Sequence, residues 1–182
     1  MRTQAGQWKL SSKAVGALDG SNDVSFNVAA DNDEWDTSLE VTSSGGSQSV
    51  QIVKGFDALG GRVSVNPRYN IQSSDADVIL GYDASSTSVT VEASQNSQKL
   101  TVAKQITDND RLTPSITSSG DFALAWRRSL DGGNAVTTTM KPNDSLSVKW
   151  EDGPWTAAIK TPLSGYKTDD VTVRIHRKLN FI

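Results

Sequence analysis

The sequence has no cysteine, and only one histidine among its 182 residues. The first absence removes disulfides, thiolate metal sites and thiol nucleophiles together, and fits a reducing compartment. The second leaves His176 without the second imidazole or thiolate that the usual zinc constellations need, so no metal site is expected. Basic excess is missing as well: 18 Lys and Arg stand against 21 Asp and Glu, for a net charge of −3 and a pI near 5.1. A chain so balanced lacks the positive field that a phosphate backbone calls for, and nucleic acid is not expected as a partner. No apolar run approaches the ~18 residues of a membrane-crossing helix, and the opening MRTQAGQWKL has no apolar signal core. The expectation is a chain with no membrane span and no targeting peptide of its own. Nucleophile elbows, phosphate loops and kinase-type glycine loops are also missing, so neither catalysis nor a cofactor is expected.

What is present is alternation. Apolar residues make up only 36% of the chain, yet they recur every second position, between clusters of Ser, Asn, Asp and Gly. That pattern predicts many short, half-buried strands rather than disorder. It is clearest from Arg111 to Leu163, where four runs alternate: Phe122, Leu124, Trp126; then Val136, Thr138, Met140; then Leu146, Val148, Trp150; then Trp155, Ala157, Ile159. Asp131 to Asn134, Lys141 to Asp144 and Glu151 to Pro154 separate them with residues suited to tight reversals. Strands joined by such short loops are antiparallel neighbours, so the segment reads as a meander with one apolar face.

The same texture extends toward the N-terminus. Gln7 to Leu10 and Ala14 to Leu18 are irregular; clear faces follow in Val24, Phe26, Val28, in Trp35, Thr37, Leu39, Val41, and in Val50, Ile52, Lys54, Phe56. Val63, Val65, Pro67, Tyr69, Ile71 form another, where the proline is expected at an edge, a bulge or a strand end because it cannot donate to the ladder. Further runs end in Tyr82, Ala93 and Ile106, and Val171, Val173, Ile175 make the last strand. Arg62 to Val102 aligns with Arg111 to Val148, pairing Pro67 with Pro114, Leu80 with Leu124 and Tyr82 with Trp126, a repeat of roughly 45 residues. The expected fold is therefore all-β: antiparallel meander sheets in two related units with a C-terminal extended segment. Its parts are N-terminal strands over 1–60, a first meander over 61–110, a second over 111–163 and an extension over 164–182.

Local chemistry is sparse. The acidic turns Asp31 to Glu34 and Asp108 to Asp110 carry oxygen ligands but no EF-hand spacing, and turn formation accounts for them. Trp8, Trp35, Trp126, Trp150 and Trp155 are the largest apolar side chains, and their alternation with Leu and Val favours burial in a core or a subunit interface over a sugar-binding platform. Three functions suit such a chain. One is a membrane β-barrel pore of the plastid outer envelope, although the apolar stripes are short beside the roughly 9–11 residues of a spanning strand. Another is a soluble glycan-binding sandwich. The third is a structural protein whose open β-edges and broad faces recruit further copies.

A resemblance bears on that choice. NPRYN at Asn66 to Asn70, LGYDASSTSVTVEAS at Leu80 to Ser94, DNDRLTPSI at Asp108 to Ile116, the run from Ala125 to Ala157 and the closing Asn180 and Phe181 are similar to the diatom pyrenoid shell protein family, PyShell. The resemblance runs from Gly61 to Phe181, about two thirds of the chain. It implies a protein of the chloroplast stroma at the pyrenoid periphery, imported with a targeting segment that is then removed. Such a protein assembles with itself into a sheet around the Rubisco condensate and supports carbon dioxide fixation. Rubisco or a Rubisco linker is the further partner implied, and no catalytic residue comes with the family. The expected self-contact residues are Trp126, Arg127, Arg128, Trp150 and Trp155, with Arg174, His176, Arg177 and Phe181 in the extension.

Overall fold

A computed structural model describes residues 2–16, 24–44, 47–164 and 170–178. Its strands are β1 (Arg2–Ala5), β2 (Trp8–Gly16), β3 (Val24–Asn32), β4 (Thr37–Ser44), β5 (Ser47–Ala58), β6 (Gly61–Asn70), β7 (Asp75–Ala84), β8 (Thr87–Ser94), β9 (Gln98–Gln105), β10 (Asp110–Thr117), β11 (Phe122–Ser129), β12 (Ala135–Lys141), β13 (Ser145–Asp152), β14 (Trp155–Pro162) and β15 (Thr172–Arg177). A 3-10 turn, Asp131–Gly133, lies between β11 and β12. The order of strands in the sheet is their order in the chain, so each lies beside the next in an antiparallel meander. β1 and β15 stand at the two ends of that order. The two meanders expected from the sequence thus belong to one fifteen-stranded order. Packing divides the chain into two units, Met1–Ser85 with Thr90–Gln98, and Ser86–Val89 with Lys99–Ile182.

In the first unit, register sorts the side chains. Val28 lies opposite Val41, Leu39 opposite Ile52, Val50 opposite Tyr69, Phe56 opposite Val63, and Val65 opposite Leu80, all on one face. The other face carries polar pairs, among them Glu40 with Gln51 and Arg68 with Asp77. Glu40 accepts hydrogen bonds from the amides of both Asn27 and Gln51, tying β3, β4 and β5 across that face. The tight β5–β6 reversal places Leu59 and Gly60 at φ 54° and 73°, the left-handed pair that two-residue hairpins require.

Two expectations are corrected here. Trp35 does not share a strand face with Thr37 and Leu39. It sits in the turn before β4, where Asp36 adopts φ 47° and the Trp35 N–H donates to Asn32 Oδ1 at 3.0 Å. Its ring meets Trp8 edge-on, with centroids 6.2 Å apart. Pro67 is not at an edge, a bulge or a strand end but inside β6, between β5 and β7. The β5–β6 ladder is interrupted opposite it, and the β9–β10 ladder is interrupted in the same way opposite Pro114. A residue without an N–H forfeits that bridge and keeps its place by facing the gap. Pro67 lies opposite Val78 and Pro114 opposite Leu124, so register matches Leu124 with Val78, one pleat from the Leu80 that the sequence alignment chose.

A core in the ordinary sense is missing. Among the described residues the only buried apolar side chains are Ala103 and Ala135. The larger apolar side chains of the described strands are half-buried or exposed. Within each unit the strands are held by their ladders and by lateral contact between neighbours on one face.

Candidate assembly surface

The second unit shows how the candidate residues are distributed. From β9 to β15 the register brings Leu112, Trp126 and Thr138 into one row, continued by Val148, Ile159 and Val173. The next row holds Arg128, Val136, Trp150, Ala157 and Ile175, and Trp155 follows opposite Asp152 and Arg177. The period of two that alternates apolar and polar residues in the sequence thus becomes a continuous apolar face. Trp126, Trp150 and Trp155 are 41%, 40% and 42% exposed on it, and Ile159 is 50% exposed. Burial of these tryptophans in a core, one of the two settings the alternation favoured beside a subunit interface, does not occur within one chain.

The charged members of that face, Lys104, Asp110, Arg128, Asp152 and Arg177, cluster where the tryptophans lie. The Trp126 indole N–H donates to Asp110 Oδ1 at 3.0 Å, and Arg128 Nε is 3.7 Å from the same oxygen. Asp110 Oδ2 accepts from the Thr107 hydroxyl at 2.8 Å. The Thr107 hydrogen bond, followed by those of Trp126 and the charge of Arg128, holds the Asp110 carboxyl below the ordinary carboxylate value although desolvation works the other way. Arg177 lies over the Trp155 ring, its guanidinium carbon 5.0 Å from the ring centroid, a cation–π contact across the β14–β15 pair.

The opposite face is small and polar: Ala125 faces Thr139, Thr139 faces Ser147, and Lys149 faces Ala158. Arg127 is on this side, 2.8 Å from Glu151 Oε2, while Lys149 donates to Oε1 at 2.6 Å. Lys149 first, then Arg127, lower the Glu151 pKa. Arg174 and His176 are here too, opposite Ala158 and Thr156. The structure therefore splits the predicted set. Trp126, Arg128, Trp150, Trp155 and Arg177 share the apolar face; Arg127, Arg174 and His176 are on the other, and Phe181 lies outside the described residues.

Sequence reasoning missed Asp110, treating it as a turn residue with a weak claim on calcium. Its partner Trp126 is sixteen positions away, and only the β10–β11 register, which sets Asp110 opposite Arg128, reveals the link. Asn32 likewise spends its oxygen on the turn backbone. Among the described residues no group of three or more His, Cys, Asp or Glu is placed to hold a metal ion. No helix among them is long and apolar enough to cross a membrane, a statement that does not bear on strands. No protein-family model matches the sequence, and no curated protein matches it.

Proposed function

We propose that this chain is a self-assembling structural protein, and that copies of it build a protein sheet forming the shell of a pyrenoid. One observation carries the assembly part: large apolar side chains stand exposed on a sheet whose strand order begins at β1 and ends at β15. Monomers seldom leave contiguous apolar surface beyond a few hundred Å² uncovered unless something binds it. Unpaired strand edges recruit further strands by the same backbone hydrogen bonds that made the sheet. The pyrenoid part rests on the resemblance of Gly61 to Phe181 to the shell family. On this reading the material is the function: a layer around the Rubisco condensate in the chloroplast stroma that helps keep carbon dioxide where it is fixed, with Rubisco or a Rubisco linker on its inner side.

Specific observations favour a second reading, an outer-envelope β-barrel pore. β2 to β7 are 8 to 12 residues long, with apolar and polar faces segregated as a barrel wall requires. Sedimentation velocity in detergent-free buffer separates the two. A shell protein gives large particles whose fraction rises with protein concentration and survives without detergent; a pore protein precipitates without structure and becomes monodisperse only in micelles.

A further inference from the structure

The apolar face of the second unit needs an occupant, and its dimensions decide among the choices. Eleven large apolar side chains between Leu100 and Ile175 are 38% to 67% exposed on it. Together they offer roughly 1,000 Å², against the ~800 Å² per partner that a stable protein interface buries. Charge is confined to the end of the face where Lys104, Arg128 and Arg177 accompany Asp110 and Asp152, leaving the middle, around Leu124, Met140, Leu146 and Val148, free of it. An interface with an apolar centre and a polar rim has this distribution.

Lipid fits less well. β10 to β14 are only 7 or 8 residues long, short of the roughly 9–11 residues that a tilted strand needs to cross the hydrocarbon.

We infer that a second copy of this chain covers the apolar face of the second unit, face against face. The pairing stacks the two apolar layers at the ~10 Å spacing of sandwiched sheets and turns the small polar faces, with Arg127, Arg174 and His176, outward. It is isologous: the same patch on both copies, related by a twofold axis. The assembled wall is then two sheets thick at this unit, and strand edges extend it sideways. This rests on the self-assembly reading and adds which surface copies share.

The absence of cysteine makes the test clean. Ile159→Cys and Lys160→Cys place single thiols on neighbouring residues of β14 that face opposite ways, both at exposed positions. Val148→Cys and Lys149→Cys repeat the comparison on β13, should the first pair fold poorly. Thiol labelling by a polar maleimide is measured on the full-length protein, in pelleted assemblies and in the presence of lipid vesicles, and normalised to the urea-denatured sample. Face-to-face pairing predicts labelling at least tenfold slower at 159 than at 160 in assemblies formed without lipid. Assemblies in which the two thiols react alike would overturn the pairing and leave an edge-linked single layer standing. Protection at 159 only with vesicles would overturn it in favour of a membrane. Free monomers with both thiols reactive would remove the self-assembly reading along with it.

Discussion

The indole N–H of Trp126 donates to Asp110 Oδ1 at 3.0 Å, so a tryptophan of the apolar face is fixed by a carboxylate from the neighbouring strand. The Asp110 pKa is lowered on folding, first by the Thr107 hydroxyl. A group depressed in this way stabilises the fold at pH above its unfolded value of about 3.9, and that contribution is lost as pH falls through the folded value. Urea midpoints followed by tryptophan fluorescence should therefore hold steady from neutral pH to about 4 and then fall. Asp110→Asn should lower the midpoint at neutral pH and flatten the acid limb. An acid limb as steep in the variant as in the parent would assign it to other carboxylates.

Arg177 over Trp155 holds the outermost strand. Every described side chain of β15 is exposed, so this strand depends on its ladder to β14 and on that contact. Exposed cation–π pairs contribute about 0.5–1 kcal/mol. Arg177→Ala should then speed amide exchange in β15 by about two- to fivefold, leaving β12 and β13 unchanged. Equal rates in parent and variant would show that the ladder alone sets the stability of this edge.

Arg127 and Trp150 are both in the candidate set yet face opposite ways. The Arg127 and Lys149 pairs with Glu151 are solvent-facing, a class of ion pair that contributes about 0–1 kcal/mol. Arg127→Ala should leave assembly intact, whereas Trp150→Ser removes part of the shared apolar surface and should raise the concentration at which particles form by tenfold or more. Pelleting assays across a concentration series read both. A larger effect from Arg127→Ala would place the contact on the polar face instead.

Glycines in the first unit offer a check on the register itself. A Cβ at Gly61 would meet the Asp83 carbonyl oxygen at 2.5 Å and the Tyr82 ring at 2.8 Å, whereas one at Gly81 would meet chiefly the Ser64 hydroxyl. Backbone cannot step aside as a hydroxyl can. Gly61→Ala should cost about 1–3 kcal/mol and Gly81→Ala clearly less, by urea denaturation. The reverse order would mean that β6 and β7 pair differently.

The strands were legible because their signal is local. Phe122, Leu124 and Trp126 alternate, and they lie on one side of β11 because a pleat has period two. The apolar face of the C-terminal meander could be written down from sequence for the same reason. What the sequence did not yield depends on register. Trp35 shares the parity of Leu39 but falls in a turn fixed by Asn32 and Asp36, so alternation misled. Pro67 was expected away from a strand interior because the rule concerns the missing N–H, and a sheet can leave one bridge unmade. Arg127 was expected beside Trp126 as a self-contact residue, and Arg174 and His176 as contacts of the extension. Their strand positions differ by odd steps from those of Trp126, Ile175 and Arg177, and this puts them on the other side. That the large side chains of the apolar face stay exposed was not readable at all, because alternation specifies an apolar face without saying what covers it.

A sheet without a core also predicts how stability responds to association. If copies cover the apolar faces, folding and assembly are linked, and the melting temperature should rise with protein concentration. Over a hundredfold concentration range the shift should amount to several degrees. A melting temperature independent of concentration would require the sheet to be stable alone.

The most direct measurement is negative-stain electron microscopy of the purified protein in detergent-free buffer. Extended sheets or tubes, present across a range of salt, are the predicted result. Monodisperse single particles at every concentration and salt tested, or ordered particles obtained only after detergent is added, would contradict it.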